Sequence, residues 1–569
     1  MNYKDQIAEL IHENLGEKSD FTKDDISLLI EIPPEKKMGD FAFPCFKLAK
    51  IFRKSPQIIA VEISKVLEKK SFLKDIVPAG GYINFYLNEA GLANDIISKV
   101  IKEKENYCKK DPLGKTVIVE YSSPNIAKPF HIGHIRTTVI GSCLYKLMNY
   151  MGYKAVSINH LGDYGTQFGK LIVAYKLWGN KEEIIKDPIN VLLKLYVKFH
   201  EEAETKPELE DQARGWFTKL EHGDEEAREI WKFFRAESLK EFDKVYKKLN
   251  ITFDSYAGES FYQDKMGAVI DDLKAKNLLE KSEGSMIVNL EKYDMPSALI
   301  QKRDGSTLYL TRDLATAIYR KNTYDFYKNI YVVASQQTLH FRQMKQILKL
   351  LGYDWYNECI HVQFGMVSLE DGQTLSTRKG QVVFLKDVLD KAIEKSKSIM
   401  EEKNPNLENM DTLAEEIGVG AIIFQELSCS RIKDYSFSFE RTLSFDGETG
   451  PYVQYTHARA CSVLRKAKDF AYDDAKLKSI PENEDAMNII KTLASYPDVL
   501  ERAAERYEPH HITRYVLDLS GCYNKFYHDN PILTEPDDIK KDRLLLTKVT
   551  VYAIRSALSL LGIAAPERM

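Results

Sequence analysis

The chain has few of the features that mark secreted, disulfide-bonded, metal-bound or membrane proteins. Its 569 residues include seven cysteines, which are scattered, odd in number and without a C-x-x-C pair. This pattern predicts neither a disulfide framework nor a structural zinc site. The first residues lack the apolar core of a secretory signal, and no long uninterrupted apolar run follows. We therefore expect a reducing, cytoplasmic setting and no membrane partner.

The chain also lacks an excess of positive charge. Eighty Lys and Arg residues against 84 Asp and Glu residues give a formal net charge of −4. Bulk charge thus gives no sign of a nucleic-acid partner, DNA included, and any such contact would depend on shape and on how charge is arranged on one face. With 44% hydrophobic and 29% charged residues the composition is globular, and the length predicts three or four domains.

The most informative segment is residues 117–141, VIVEYSSPNIAKPFHIGHIRTTVIG. It begins as a β-branched strand, passes through a loop and predicts a helix from near Ile135, the geometry in which helix N–H groups face a phosphate. His131 and His134 share the first turn, where imidazoles can donate hydrogen bonds to a triphosphate. A four-residue apolar stripe would dock this helix on a sheet, and it comprises Ile135, Val139, Cys143, Leu147 and Met151. Taken alone, two histidines at this spacing are more often ordinary polar residues at a helix start.

Twelve consecutive residues of this segment, SPNIAKPFHIGH, resemble the signature loop of class I aminoacyl-tRNA synthetases in the extended form typical of the arginyl-tRNA synthetases. The resemblance covers nearly the whole chain. It implies ATP-dependent formation of arginyl-adenylate and transfer of arginine to the 3′ end of tRNA(Arg), with Mg²⁺ accompanying ATP and a monomer as the usual form. The implied fold is an α/β multidomain one, with a Rossmann-type parallel-sheet catalytic core and helical insertion, an N-terminal α/β tRNA-binding domain and an all-α C-terminal anticodon-binding domain.

The domain boundaries follow shifts in pattern along the chain. We expect an N-terminal module at 1–110, a catalytic domain at 111–385 with a helical insertion at about 185–250, a helical connector at 386–444 and an anticodon-binding domain at 445–569. By resemblance, Tyr82 and Asn84 contact the tRNA D-loop, although both could be plain strand residues. Tyr455 and Arg459 lie one helical turn apart, which suits base stacking and a phosphate contact, but aromatic residues at helical spacing are often core.

The ATP site is expected around the first signature. His131 and His134 would contact phosphate, and Gly133 allows close backbone approach. Lys128 could reach the same oxygens or could be a solvated loop lysine. Residues 374–380, TLSTRKG, resemble the second signature of class I enzymes, a loop that clamps pyrophosphate, but Thr374 and Leu375 replace the usual lysine and methionine. From this loop the resemblance implies roles for Ser376, Arg378 and Lys379.

Specificity for arginine requires carboxylates, because a guanidinium is planar, always charged and bound best by bidentate acceptors. By resemblance, Glu259, Asp313 and the Tyr309 hydroxyl hold the guanidinium. The remaining residues expected around the amino acid, several of them orienting its α-amino and carboxylate groups, are Glu120, Ser123, Pro124, Asn125, His134 and Gln337. Each carboxylate alone could instead form a surface salt bridge. If Glu259 and Asp313 are buried together, their pKa values should be perturbed.

Two other hypotheses remain open at this point. One is a class I enzyme that activates a different amino acid, which Glu259 and Asp313 disfavour because a neutral substrate would leave both acids unpaired. The other is a non-catalytic tRNA-binding relative, which the altered Thr374 leaves possible and the intact histidines disfavour.

Overall fold

The structure is a computed structural model, and it describes residues 3–15, 21–303, 308–369, 383–403, 405, 407–467 and 479–569. Ser376, Arg378 and Lys379 lie outside these residues. The elements are grouped below into an N-terminal module, a central α/β region and a helical C-terminal part.

The N-terminal module packs helices on a small antiparallel sheet. Its elements are α1 Tyr3–Leu15, α2 Lys23–Leu29, β1 Phe41–Pro44, α3 Ala49–Phe52, α4 Pro56–Val66, β2 Leu73–Ala79, β3 Tyr82–Leu87 and α5 Glu89–Glu103. The strand order is β1-β3-β2, so β3 is central. Apolar side chains of β3, Ile83 and Phe85, are fully buried and form the core with the helices.

The central region is built on a four-stranded parallel sheet with helices on its faces. Its elements are β4 Thr116–Glu120, α6 His134–Tyr150, β5 Lys154–Ile158, α7 Gln167–Trp178, α8 Lys181–Lys186, α9 Pro188–Thr205, α10 Glu208–Glu221, α11 Glu225–Lys248, α12 Met266–Ala275, β6 Glu280–Ser282, β7 Ser285–Val288, β8 Ala298–Gln301, α13 Tyr309–Tyr324, β9 Lys328–Ala334, α14 Thr338–Leu350, β10 Cys359–Phe364 and β11 Val367–Leu369. Strands β6, β7 and β8 form a separate antiparallel sheet.

The order of the parallel sheet determines where a ligand can bind. The strands run β10-β9-β4-β5, and all adjacent pairs are parallel. The chain moves one way from β4 to β5 and the other way from β9 to β10, so the topological switch point lies between β4 and β9. In such sheets the crevice beyond the carboxyl ends of the strands at this point is where ligands bind.

Helix α6, which follows the first signature loop and is called the first-signature helix below, is anchored on this sheet as its sequence predicts. The stripe residues Ile135, Val139, Cys143 and Leu147 are each at most 2% exposed, and Met151 is 6% exposed. Gly141 allows a close approach to β4, because a Cβ at this position would lie 2.1 Å from Cβ of Tyr121. The start of α6 is therefore fixed relative to the end of β4.

The C-terminal part is helical apart from one short strand. Its elements are α15 Leu385–Lys403, α16 Met410–Ser428, β12 Tyr435–Phe437, α17 Phe439–Thr442, α18 Gly450–Lys466, α19 Glu484–Ala494, α20 Tyr496–Arg506, α21 His510–Asp529 and α22 Asp537–Leu561. Among the described helices, α22 alone is long and apolar enough to cross a membrane, but 78% of that stretch is buried inside the fold. It is the core helix of this region.

Candidate active site

The loop after β4 brings the two histidines of the first signature into contact. Their ring centroids are 3.9 Å apart. The Gly133 N–H donates to Nδ1 of His131 at 3.1 Å, and the His131 N–H lies 3.2 Å from Nδ1 of His134. Burial lowers the pKa of His131, and burial together with the charge of His131 lowers the pKa of His134 to about 3. Both rings are therefore neutral at pH 7. Acceptance at Nδ1 leaves the proton of His131 on Nε2, where it can be donated to a ligand, whereas Nδ1 of His134 lies 3.2 Å from both the N–H and the carbonyl oxygen of His131 and fits either tautomer.

The loops after β4 and β5 form one layer beside this turn. The Gly162 N–H donates to the carbonyl of Pro124 at 3.1 Å, and the Ile126 N–H donates back to the Gly162 carbonyl at 3.2 Å. A Cβ at Gly162 would lie 1.8 Å from Oδ1 of Asn125, so only glycine allows this contact. Ser122 and Ser123 adopt φ values of 69° and 47°, a strained conformation that is typical of functional sites.

An acidic socket continues from the same layer. The Glu259 N–H donates to the Leu161 carbonyl at 2.9 Å, which joins Glu259 to the β5 loop. Burial raises the pKa of Glu259 to about 7, with Asp313 and Asp163 adding to the rise and Arg312 opposing it. The expected perturbation is thus confirmed for Glu259. The influence of Asp313 on this pKa indicates that the two acids are electrostatic neighbours.

Two basic side chains that sequence reasoning missed are paired with these acids. Nη1 of Arg312 lies 3.0 Å from Oε2 of Glu259, and Nε2 of His340 lies 2.5 Å from Oδ2 of Asp313. Arg312 is almost fully buried, and the ring centroids of Tyr164 and Tyr309 each lie 5.4 Å from its guanidinium carbon. Both residues occur in segments that resemble the family, LYLTRD and QQTLHF, so this resemblance could have identified them from the sequence.

The carboxylate of Glu120 forms an ion pair with an arginine of the protein itself. Nη2 of Arg320, which is fully buried, lies 2.6 Å from Oε2 of Glu120. One oxygen of this carboxylate therefore neutralises an internal charge, because a buried arginine requires an anionic partner. Asp163 is similarly structural: it is fully buried and accepts hydrogen bonds from Ser260 and Arg235.

The other residues expected around the substrates differ in exposure. Asn125, Lys128 and Gln337 are exposed, Ser123 is half-buried and Pro124 is buried. Tyr309 begins α13 and is 61% exposed, one turn before Asp313. Gln337 follows the end of β9, so it lies at the switch point together with the loop after β4.

The two pairs expected to contact tRNA are placed differently. On β3, Tyr82 is half-buried and stacks edge-on against Phe46, with ring centroids 5.2 Å apart. Asn84 is only 6% exposed, which favours the alternative of a plain strand residue, and its contact with tRNA stays a prediction. A Cβ at Gly39 would lie 3.4 Å from the Asn84 Cβ, so the turn at Gly39 packs close to it.

The second pair lines a cavity in the helical C-terminal part. The Arg459 guanidinium carbon lies 4.8 Å from the Tyr455 ring centroid and 5.3 Å from that of Tyr527. Both tyrosines are about 40% exposed, and Arg459 also donates to Asn524 at 3.0 Å. The cavity beside them measures about 790 Å³, and basic residues Arg465, Lys466 and Arg568 contribute to its lining.

Comparison with known proteins gives matches over the whole chain. A family model described as tRNA synthetases class I (R), catalytic domain, matches residues 96–439. The DALR anticodon binding domain matches residues 453–569, and the arginyl tRNA synthetase N terminal domain matches residues 5–87.

Individual relatives agree with the family models. The chain is 58% identical to a protein named arginine–tRNA ligase from Clostridioides difficile and 54% identical to one from Halothermothrix orenii, with 100% of each chain covered. Its fold resembles the arginyl-tRNA synthetase of Thermus thermophilus, with a TM-score of 0.84, 25% identity and 100% of both chains covered. It also resembles that of Plasmodium falciparum, with a TM-score of 0.82, 24% identity and coverage of 100% and 99%.

Proposed function

This chain belongs to the class I arginyl-tRNA synthetases, and on that premise we propose which of its residues bind ATP, arginine and tRNA. It is an arginine–tRNA ligase, which activates arginine with ATP and transfers it to tRNA. The division into regions 1–110, 111–385, 386–444 and 445–569 is part of the proposal.

The ATP phosphates bind at the turn that carries His131 and His134. His131, with its proton on Nε2, can donate to a phosphate oxygen, His134 lies in contact with it, and the N-terminal end of α6 attracts negative charge. Gly133 keeps the backbone open to the nucleotide, and exposed Lys128 supplies a cation. From the second signature, Ser376, Arg378 and Lys379 complete the phosphate contacts.

Mg²⁺ arrives with ATP. Within the described ranges no group of three His, Cys, Asp or Glu residues could hold a metal ion. Mg²⁺ keeps most of its water and is commonly held through substrate phosphates, so the ATP phosphates would supply its ligands. The chain's own task is then to orient those phosphates.

The guanidinium of arginine binds between Glu259 and Asp313, with the hydroxyl of Tyr309 beside them. These acids are already balanced by Arg312 and His340, which supports a socket that is shaped before substrate enters. Two charged acceptors for one planar donor give the strength and direction that arginine recognition needs.

The α-amino and carboxylate groups lie toward the switch point, where Ser123, Asn125 and Gln337 orient them and His134 is near. Buried Pro124 and Glu120, the latter held by Arg320, shape the loop that carries these contacts. The arginine carboxylate then attacks the α-phosphate of ATP: a C–O–P bond forms, the bond to the β-phosphate oxygen breaks, and pyrophosphate leaves. Positioning and charge stabilisation provide most of the catalysis.

The tRNA contacts involve both ends of the chain. Tyr82 on β3 stacks on an unpaired base of the D-loop, and the cavity at Tyr455 and Arg459 takes anticodon nucleotides. A guanidinium between two half-exposed tyrosines suits base stacking with a nearby phosphate contact. We further propose that the enzyme acts as a cytoplasmic monomer without a membrane or DNA partner; sedimentation of the purified protein would test the oligomeric state.

The acidic socket carries this assignment, because a neutral side chain would gain nothing from the two carboxylates and could not replace the basic groups that are paired with them. The test is ATP–pyrophosphate exchange with each amino acid, with and without tRNA. We expect exchange with arginine and with no other amino acid. Exchange with another amino acid would overturn the socket assignment, and unchanged activity in Glu259→Ala and His134→Ala variants would overturn the site residues.

A further inference from the structure

Arg136 lies two residues after His134 on α6 and is fully buried, which is unusual for an arginine. Its Nη1 donates to the carbonyl oxygens of Gly365 at 3.1 Å and Lys433 at 2.7 Å. These carbonyls stand just before β11 and β12. One side chain of the first-signature helix therefore holds two distant stretches of chain.

The two stretches, residues 365–369 and 431–437, are joined to each other, and together they are called the ledge below. Strands β11 and β12 pair in parallel, from Val367 opposite Tyr435 to Leu369 opposite Phe437. The Gly365 N–H donates to the Arg431 carbonyl at 2.8 Å, and a Cβ at Gly365 would lie 2.8 Å from the Lys433 carbonyl oxygen, so the backbones are tightly packed. Leu369 is the last described residue before the segment that contains the second signature.

A buried acid balances Arg136. Glu426 on α16 is 1% exposed, and its Oε2 lies 3.7 Å from Nε of Arg136. Its Oε1 accepts a hydrogen bond from the Tyr435 hydroxyl, and the Tyr435 ring centroid lies 5.3 Å from the Arg136 guanidinium carbon. Buried ion pairs add little net stability because desolvation offsets their attraction. We therefore interpret this group as a device that fixes geometry.

The chain returns from the second signature onto the same signature loop. The Ile132 N–H donates to the Val383 carbonyl at 3.1 Å, and the Leu385 N–H donates to the Phe130 carbonyl at 2.9 Å. His131 and Phe384 form an antiparallel bridge between these two bonds. Both chain ends that flank residues 370–382 are thus bonded either to the loop with His131 or to the helix that follows it.

We propose that Arg136, held by Glu426 and Tyr435, is a positioning residue for ATP. It fixes the ledge at β11 and β12 relative to the start of α6, and so holds in place the histidine turn that is proposed to contact the triphosphate. This inference rests on the proposed contact of His131 and His134 with ATP. The guanidinium of arginine does not depend on it, because the acidic socket is built on the β5 loop and α13.

The test compares the KM for ATP with the KM for arginine in pyrophosphate exchange at saturating tRNA. We expect Arg136→Met to raise the ATP KM by about tenfold or more and to leave the arginine KM within about twofold. Arg136→Lys, which keeps a donor, should recover part of the loss. In the double variant with Glu426→Gln the ATP KM should be no higher than in Arg136→Met alone, because the two residues act as one unit.

Arg555→Met is the control for general loss of stability, since Arg555 pairs with Glu105 and Glu567 far from the signatures. All variants are assayed below their unfolding temperatures. The inference is overturned if the two KM values rise together in Arg136→Met, or if its ATP KM matches that of Arg555→Met. The His134→Ala variant tests the proposed ATP contact separately. An unchanged ATP KM in this variant would refute that contact. A raised ATP KM in His134→Ala together with a normal ATP KM in Arg136→Met would refute only the positioning role.

Discussion

At the scale of single residues, the socket acids are paired with basic groups of the protein itself. Asp313 meets His340, and Glu259 meets Arg312. If arginine binds there as proposed, its guanidinium must share or replace these partners, whereas a shorter or neutral side chain would gain less than the exchange costs. On this proposal, selectivity comes from competition with the protein's own basic side chains as well as from attraction.

Asp313→Ala should lose much more arginine activation than ATP binding. Removing one of two charged acceptors costs on the order of 2–4 kcal/mol, or about 30-fold to 1,000-fold in kcat/KM for arginine. The ATP KM should change little, because Asp313 does not belong to the phosphate turn. Asp325→Ala is the matched control, since this aspartate ends the same helix with its side chain 91% exposed. Equal losses for both substrates would contradict the assignment.

The raised pKa of Glu259 leads to a prediction of how arginine binding depends on pH. Its pKa of about 7 means that the carboxyl is increasingly protonated below pH 7 in the free enzyme, and a neutral carboxyl binds a guanidinium poorly. The arginine KM should thus rise as the pH falls from 8 to 6, by up to about tenfold per unit below pH 7. Glu259→Gln should raise the KM at pH 8 and flatten the profile. A wild-type profile that is flat across this range would refute the prediction.

The sequence was enough to select these residues as candidates, but it did not indicate which side chains they pair with. Glu259, Asp313 and His134 occur in recognisable segments, so resemblance could select them. The pairing of Glu120 with Arg320 joins residues 200 positions apart, and no local pattern indicates it. Asn84 is nearly buried beside the turn at Gly39, and such packing between distant segments is a tertiary effect that strand alternation does not show.

At the scale of elements, long regular patterns were predictable and short strands were not. The apolar stripe of α6 and the β-branched run of β4 were recognisable in the sequence. The antiparallel sheet of β6, β7 and β8 was missed, as was the pairing of β11 with β12. Strands of three or four residues are too short for a period to be recognised, and their partners are determined by tertiary packing.

The contact between the β4 and β5 loops gives a prediction at this scale. Gly162→Ala places a Cβ where Oδ1 of Asn125 now lies, so Asn125 must move away from the switch point. We expect the arginine KM in pyrophosphate exchange to rise by about tenfold, with a modest loss of melting temperature because Asn125 is exposed. Gly267→Ala on α12 is the control, since a Cβ there meets nothing within 4 Å. An unchanged KM in Gly162→Ala would show that Asn125 is dispensable.

At the scale of the whole molecule, the N-terminal module and the C-terminal helices contact each other. Lys491 on α19 lies 2.7 Å from Asp40, and the Tyr107 hydroxyl donates to the Leu493 carbonyl at 3.0 Å. Tyr150, the last residue of the first-signature helix, donates to the Tyr107 carbonyl at 2.7 Å. Because these links join both ends of the chain to the first-signature helix, tRNA bound at the proposed contacts would be connected to the proposed active site through hydrogen bonds and ion pairs.

With a net charge of −4, the chain offers no bulk attraction for tRNA, so we expect recognition through a few placed groups. Arg459, whose guanidinium lies near the rings of Tyr455 and Tyr527, is the proposed contact of this kind in the C-terminal cavity. Arg459→Ala should raise the tRNA KM in aminoacylation by about tenfold, with kcat at saturating tRNA nearly unchanged, since base stacking and a phosphate contact are each worth about 1–3 kcal/mol. The ATP and arginine KM values at saturating tRNA should stay the same.

Arg514→Ala provides the comparison, because Arg514 is an exposed arginine of the same region that pairs with Glu448 and Asp518 outside the cavity. If tRNA were held by diffuse charge, both variants would lose affinity equally and would show the same dependence on salt. If it is held by placed groups, Arg459→Ala alone loses affinity, and the loss persists at high salt because stacking is screened less than charge. The persistence of the loss therefore distinguishes recognition by shape from attraction by charge.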